Sequence, residues 1–491
     1  ISEGTKATIA SDYGNWWRIV LSDRVGYINK QDVKVSFLNK DRLFKVIKDT
    51  PIYDNRTGSL VKVGELNKGQ TYKRVKDYGN WHRIQFGNMY GYVRKSDTDV
   101  ALNRSYNNPQ VTIPGIGTIT TKKNVTVYDN SGPGKLAPYG LILKGKSYEV
   151  INHYGNWFEI NLAGRQGYIR KTEVNDQNVM QAKEIVNPRQ TYSYYEMSQD
   201  IKELEKNSPG LVSTEVIGKS VEGRNIYLVK LGTGDIKITI NASHHAREWM
   251  TTNLVMNQID EYSQSYVKNN HFDGYDTRDL LSKVTIYYVP MVNPDGVQLT
   301  QFGVSGFSNK NELLKMNNYN PDFRAWKANA RGVDLNRQYP AGWNSIRNLA
   351  LRPGPERFKG YSPLSEPEVR AVANLARSND FKTHVAYHSS GEILYWAYNS
   401  VGSQRATNRR IARLISGKSG YPLVPQTSNP SGGGYTDWVI SSLQDPGFTP
   451  EISPHVGPRP VPIRNFDRIW SQNSSIGLML AEEAYTSRFS R

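Results

Sequence analysis

The chain is predicted to fold as small all-β barrels followed by an α/β/α sandwich around a mixed sheet. Three observations predict this. A Tyr-Gly-Asn-Trp motif recurs within the first 175 residues, and each copy is followed by an alternating strand. From residue 190 onward, helix-length and strand-length apolar patterns alternate, the signature of an α/β layer architecture. A polar segment at 175–188 separates the two regimes and is expected to be the linker.

The repeat reads Asp12-Tyr13-Gly14-Asn15-Trp16, Asp77-Tyr78-Gly79-Asn80-Trp81 and His153-Tyr154-Gly155-Asn156-Trp157. The spacings are 65 and 76 residues, the size of small domains and longer than solenoid repeats. A Gly-Tyr pair follows each copy, at Gly26-Tyr27, Gly91-Tyr92 and Gly167-Tyr168. Alternation such as Arg83-Ile84-Gln85-Phe86 marks half-buried strands, and glycine-bearing turns between short strands mark a small barrel. The units are placed at 1–38, 41–105 and 118–175. Their pattern resembles bacterial SH3-like domains, and the resemblance implies attachment to cell-wall polymers. Trp16, Trp81 and Trp157 are expected to fill each barrel's small core. Units two and three share Ile52-Tyr53-Asp54-Asn55 and Val127-Tyr128-Asp129-Asn130 near their starts. Unit one has no such segment before Gly4, which aligns with Gly69, so residue 1 is read as an artificial or processing edge.

The large domain is placed at 187–491. It begins with a charged helix at 195–206, stopped by Ser208-Pro209-Gly210. Strands follow at 226–231 and 236–242, then a helix at 251–267. The near-continuous apolar run at 284–292 reads as a strand buried on both faces. Helices are expected at 366–377, 404–416 and 466–485. Folds of this class gather their ligands at strand ends.

Composition narrows the setting. The chain has no cysteine, which excludes disulfide and thiolate chemistry. Its net charge of +17 asks for an acidic partner. No nucleic-acid-binding motif is recognisable, and basic residues are dispersed, as in Lys122-Lys123 and Arg409-Arg410. An anionic bacterial wall fits the repeats better. No stretch approaches 18 apolar residues, so no membrane span is expected. No signal peptide is present, and a mature exported chain would have lost it. The expected setting is secreted and wall-associated, in a Gram-positive bacterium.

The chemistry concentrates in a few motifs. His245-Ala246-Arg247-Glu248 follows the apolar run at 237–242. An imidazole and a carboxylate three residues apart can face one metal ion where the chain turns out of a strand, and zinc suits such a pair. His388, at the end of the apolar run 383–388, is the best candidate for a third ligand, and a fourth position stays open for water. His384, at the other end of that run, reads as a core or strand-end histidine. Asn336-Arg337 sets an amide beside a guanidinium, a pair able to grip a carboxylate. Glu451 lies in another strand-like segment, where a glutamate can move protons between water and a leaving amine.

These residues resemble the zinc carboxypeptidase family. The matching pieces are His-His-Ala-Arg-Glu-Trp (244–249), Asn-Pro-Asp-Gly (293–296), Gly-Val-Asp-Leu-Asn-Arg (332–337), Ser-Glu-Pro-Glu (365–368), Tyr-His-Ser (387–389) and Phe-Thr-Pro-Glu-Ile (448–452). The resemblance implies that His245, Glu248 and His388 bind Zn2+. It implies that Glu451 is the general base and acid, that Asn336 and Arg337 hold a substrate carboxylate, and that His244 is a structural neighbour. The stretches 387–396 and 433–438 look most like the bacterial γ-D-glutamyl-diamino-acid peptidases, which cut peptidoglycan stem peptides before meso-diaminopimelate or lysine.

Two positions depart from the family pattern. The arginine that polarises the scissile carbonyl is matched by Lys327, with Arg324 and Arg331 as alternatives. The place of the tyrosine that caps the bound C-terminal residue holds Asn429 or a neighbour, while Tyr435 reads as a wall residue. Two rival readings remain. An ordinary zinc carboxypeptidase acting on protein C-termini lacks support from the missing tyrosine and the wall-type repeats. A wall-binding adhesin with an inert peptidase domain sits badly with three retained ligands and the glutamate.

Overall fold

Strand alternation governs the first unit, Ile1–Val179, and helix–strand alternation the second, Met180–Arg491. The computed structural model describes residues 7–21, 24–34, 42–101, 114–129, 136–427 and 430–487. Gly4, Asn130 and Asn429 lie outside the described residues.

In the first unit each motif copy makes a tight turn between two strands. The glycine takes a left-handed backbone (φ 62° at Gly14, 55° at Gly79, 55° at Gly155), which only glycine adopts without steric cost. The following asparagine carbonyl accepts a backbone bond from a lysine N–H in every copy: Asn15 from Lys30, Asn80 from Lys95 and Asn156 from Lys171. The tryptophans do not fill the cores as expected. Trp16 is 46% exposed, and Trp81 and Trp157 are half-buried. Because strand side chains alternate, the next residue points inward: Trp17, His82 and Phe158 are buried. Ile84, Phe86, Ile160 and Leu162 continue the inner face.

The second and third repeats are joined. Ala137–Ile142 pairs with Val61–Leu66, giving one ten-stranded sheet that runs through both. The first repeat contributes a separate three-stranded antiparallel sheet. The third repeat also runs past its expected end at 175, because Val174–Val179 is a strand paired with Gly117–Thr121. The expected linker at 175–188 is corrected accordingly. Its second half packs onto the α/β unit, where the Ile185 and Val186 N–H groups donate to the Asp260 carboxylate at 2.8 Å.

The sheet of the second unit has eight strands: β1 (Val212–Lys219), β2 (Asn225–Leu231), β3 (Ile236–Asn241), β4 (Val284–Val289), β5 (Phe381–Ala386), β6 (His388–Ser389), β7 (Ile393–Tyr395) and β8 (Gly447–Ile452). The spatial order is β1-β2-β4-β3-β5-β8-β6, with β7 on β8. The pairs β3–β4, β3–β5 and β5–β8 are parallel, whereas β1–β2 and β2–β4 are antiparallel, so the sheet is mixed as expected. β4 is buried at every position. Its Tyr287 and Val289 join the cluster under the helix Pro367–Arg377. The alternate residue Tyr288 faces the other side, against Gly477 of the helix Ile476–Ser487. A Cβ at Gly477 would stand 2.9 Å from Tyr288 Oη and 3.0 Å from Tyr262, so this approach requires glycine.

The expected C-terminal helix at 466–485 is two helices, Phe466–Asn473 and Ile476–Ser487. Side chains of the helix Met250–Lys268 cause the break. Gln258 and Tyr262 donate to the Asn473 and Ser474 carbonyls, displacing the helical bonds these would accept. Among the described residues, no helix is long and apolar enough to cross a membrane.

Candidate active site

Parallel pairing brings the candidate ligands to one end of the sheet. Asn241, at the end of β3, pairs with Ala386, at the end of β5. Beyond Asn241 the chain turns through Ser243 (φ 51°) into a short 3-10 turn, Ala246–Glu248, with His245 as its N-cap. Residues three apart nearly eclipse in such a turn, so His245 and Glu248 face the same way. His388 begins β6, opposite Glu451 of β8.

All three candidate ligands are buried, and their ligand atoms lie within 4.8 Å of one another. His245 Nδ1 is 2.9 Å from Glu248 Oε1, His388 Nδ1 is 2.9 Å from Glu248 Oε2, and the two Nδ1 atoms are 3.0 Å apart. Two imidazole nitrogens and a carboxylate converging on one buried point form a donor set of the kind zinc takes. Burial pushes the Glu248 carboxyl up, but His245 and His388 outweigh it and hold the group well below the usual range.

Asp334 is a site residue that the sequence reading did not single out, although it lies within Gly-Val-Asp-Leu-Asn-Arg. Its Oδ1 is 3.1 Å from His245 Nε2. Burial raises its pKa, yet His245, Lys327 and Arg337 together hold it far below the ordinary value. A buried carboxylate on Nε2 fixes the proton there and leaves Nδ1 free to bind metal. His244 is not part of the cluster. It is buried, its Nε2 lies 3.1 Å from Tyr339 Oη, and burial pushes its pKa well down. His384 is also buried, with Nδ1 2.8 Å from Tyr435 Oη.

Asn336, Arg337, Lys327 and Glu451 line one cavity of about 440 Å³ together with His245 and Asp334. Asn336 Oδ1 accepts the Tyr435 N–H at 2.9 Å, so its amide nitrogen remains to donate to a ligand. Arg337 Nε stands 3.7 Å from Asp334 Oδ2. Burial and the Glu248 charge push the Glu451 carboxyl up to about 7, against the opposing pull of His388, Lys327 and Arg247. That range suits a group that both takes and gives protons near neutrality.

Of the three cations considered for the carbonyl, Lys327 alone lines the cavity. Its carbonyl accepts the Ala246 N–H at 3.0 Å, which ties its segment to the His245 turn. Arg324 is exposed and paired with Asp322 at 2.6 Å, and Arg331 stands 3.7 Å from Glu366. Tyr435 is not the wall residue expected. It is buried among Tyr339, His384 and Trp438, because the helix Tyr435–Trp438 turns its first side chain into the core.

The family model described as zinc carboxypeptidase matches residues 197–473, which span every one of these side chains. The chain belongs to the zinc carboxypeptidase family. It is a zinc metallopeptidase by that membership, and the buried cluster supplies the metal site the family needs. It is 37% identical over 300 residues to gamma-D-glutamyl-L-diamino acid endopeptidase 1 of Lysinibacillus sphaericus, covering 60% of this chain and 73% of that protein. It is 35% identical over 270 residues to YqgT of Bacillus subtilis (strain 168), covering 54% and 70%. Canis lupus familiaris carboxypeptidase B is 28% identical over 271 residues, covering 51% and 60%. The crystal structure of thrombin activatable fibrinolysis inhibitor matches with a TM-score of 0.50 at 17% identity, over 76% of this chain and 99% of that one. That likeness speaks for the fold alone.

Proposed function

We propose that this zinc peptidase hydrolyses the bond between γ-D-glutamate and the diamino acid of peptidoglycan stem peptides. The observation that carries the reading is the 37% identity, across 300 residues, to an endopeptidase named for that bond. The cavity chemistry supports it. Bound zinc supplies Lewis acidity at His245, Glu248 and His388. Glu451 takes a proton from the attacking water and passes it to the amine that leaves. Arg337 and the Asn336 amide nitrogen hold the carboxylate beside the scissile bond. Lys327 faces the oxygen on which negative charge develops. The products are a γ-D-glutamyl carboxylate and a free diamino acid amine.

In the same reading the enzyme acts outside the cell, on a Gram-positive wall, and the N-terminal repeats attach it there. Attachment raises local concentration without changing the chemistry. Digestion of purified muropeptides by the full chain, followed by mass spectrometry, tests the reaction. Release of the diamino acid end from the γ-D-glutamyl stem is expected. Trimming of ordinary peptide C-termini with muropeptides left intact would replace this reading with a general carboxypeptidase.

A further inference from the structure

The second repeat carries an aromatic cluster on its outer face that its core does not use. Trp81 meets Tyr53 edge-on, with ring centroids 5.8 Å apart. Tyr78 meets Tyr92 at 5.9 Å, and the Arg94 guanidinium lies over Trp81 at 5.4 Å. The third repeat builds the same cluster at the matching register. Trp157 meets Tyr128 at 5.6 Å, Tyr154 meets Tyr168 at 5.5 Å, and Arg170 lies over Trp157 at 5.0 Å. The strand pairing is identical too, with Trp81 opposite Arg94 and Trp157 opposite Arg170.

Packing accounts for Tyr168, which is 8% exposed, but not for the rest of the arrangement. The inward residues on the same strands are His82, Ile84 and Phe86 in one copy and Phe158, Ile160 and Leu162 in the other. Tyr78 is 56% exposed and Tyr154 58% exposed, and both arginines are exposed. An exposed tyrosine and a half-buried tryptophan under an exposed arginine, built twice at one register, point to a ligand. Aromatic faces offer flat apolar surface with negative charge above the ring. They suit the C–H faces of sugar rings, and the guanidinium beside each tryptophan suits a carboxylate on the same ring. Two equal sites on one ten-stranded sheet suit a polymer with a repeating unit. The first repeat keeps an exposed Trp16 but holds Asn29 where the others hold arginine.

We propose that the outer faces around Trp81 and Trp157 are paired binding sites for a glycan strand whose sugars bear carboxylates. The proposal rests on the reading of the chain as a wall enzyme. It assigns attachment to the sugar backbone and leaves the stem peptide to the catalytic cavity.

The test uses the full chain, with glycan strands stripped of stem peptides as one probe and soluble stem peptides as the other. Intrinsic tryptophan fluorescence and calorimetry read binding. Binding of the stripped glycan is expected. Trp81→Ala or Trp157→Ala alone should weaken it roughly 10- to 100-fold, because one of two linked sites is lost. The double variant should show none. Hydrolysis of soluble stem peptides should stay unchanged in all three. Arg94→Gln with Arg170→Gln, at exposed positions, provides a second variant should the alanine forms fail to fold, and it should also weaken glycan binding. Undiminished glycan binding by folded variants would overturn the proposal. So would binding of stem peptides to the wild-type repeats at these tryptophans in place of the glycan. Glycan binding without stem hydrolysis would leave this proposal standing and defeat the proposed reaction.

Discussion

His245 Nε2 lies 3.1 Å from Asp334 Oδ1, while the opposite ring nitrogen, Nδ1, faces Glu248 and His388. One carboxylate thus sets which nitrogen of a candidate zinc ligand is available. Asp334→Asn keeps the shape and loses the charge. Zinc affinity or activity is expected to fall about 10- to 100-fold, the usual effect of removing an orienting carboxylate. Chelator competition measures it, and unaltered affinity with unaltered turnover would remove Asp334 from the site.

Glu451→Gln isolates proton transfer. Turnover should drop by roughly 10²–10⁴-fold while zinc content stays near one per chain. Metal analysis beside single-turnover kinetics separates the two effects. Near-normal turnover would mean that another base is used.

Arg337→Lys tests carboxylate recognition. Lysine keeps the charge and loses the planar fork, so cleavage of stems with a free carboxylate next to the scissile bond should suffer. Wild-type enzyme should also cleave an amidated stem poorly. Equal rates on the free-acid and amidated stems would rule out the anchor.

The second repeat should carry an acid-sensitive stability. Burial, then the nearby Arg74 charge, lowers the His82 pKa from 6.5 to about 4 against the pull of Asp77. Its pKa is depressed on folding, so the unfolded chain binds the proton more readily. The contribution is complete above about pH 6.5 and is lost as pH falls toward 4, up to about 3 kcal/mol in all. Thermal unfolding between those pH values measures it, and His82→Gln should flatten the dependence of the first unit's transition.

The buried contacts of residues 180–186 make a prediction about truncation. A chain starting at Met180 retains the two N–H bonds to Asp260, whereas one starting at Asn187 loses them. The longer form should be the more stable and should cleave soluble stem peptides as well as the full chain does. Lost activity in a folded 180–491 chain would show that the repeats help to build the active site.

Much of this was legible in the sequence because the chemistry is local. His245 and Glu248 sit one turn apart, and the apolar runs that became β3, β4 and β5 announce a buried sheet. Motif order alone brought His388 and Glu451 to the same place. The misses have physical causes. Trp16, Trp81 and Trp157 are not core residues because each strand's inward face starts one residue later, at Trp17, His82 and Phe158, and a turn before a strand does not fix that register. The break at Ser474 comes from Gln258 and Tyr262, more than 200 residues away in the chain. The strand Val174–Val179 reads as linker because its residues are polar, and its pairing with Gly117–Thr121 is a long-range fact. Asp334 went unassigned because its partner, His245, lies 89 residues away.

The proposed reaction is a zinc-dependent cut at a γ-linked glutamate. The most direct measurement gives the zinc-loaded full chain an equimolar pair of tripeptides, L-alanyl-D-glutamyl-diamino acid joined through the γ-carboxyl or through the α-carboxyl. Mass spectrometry follows the free diamino acid. Release is expected from the γ-linked peptide alone, and should be lost in His388→Ala. Equal cleavage of both isomers, or cleavage only of the α-linked one, would contradict it.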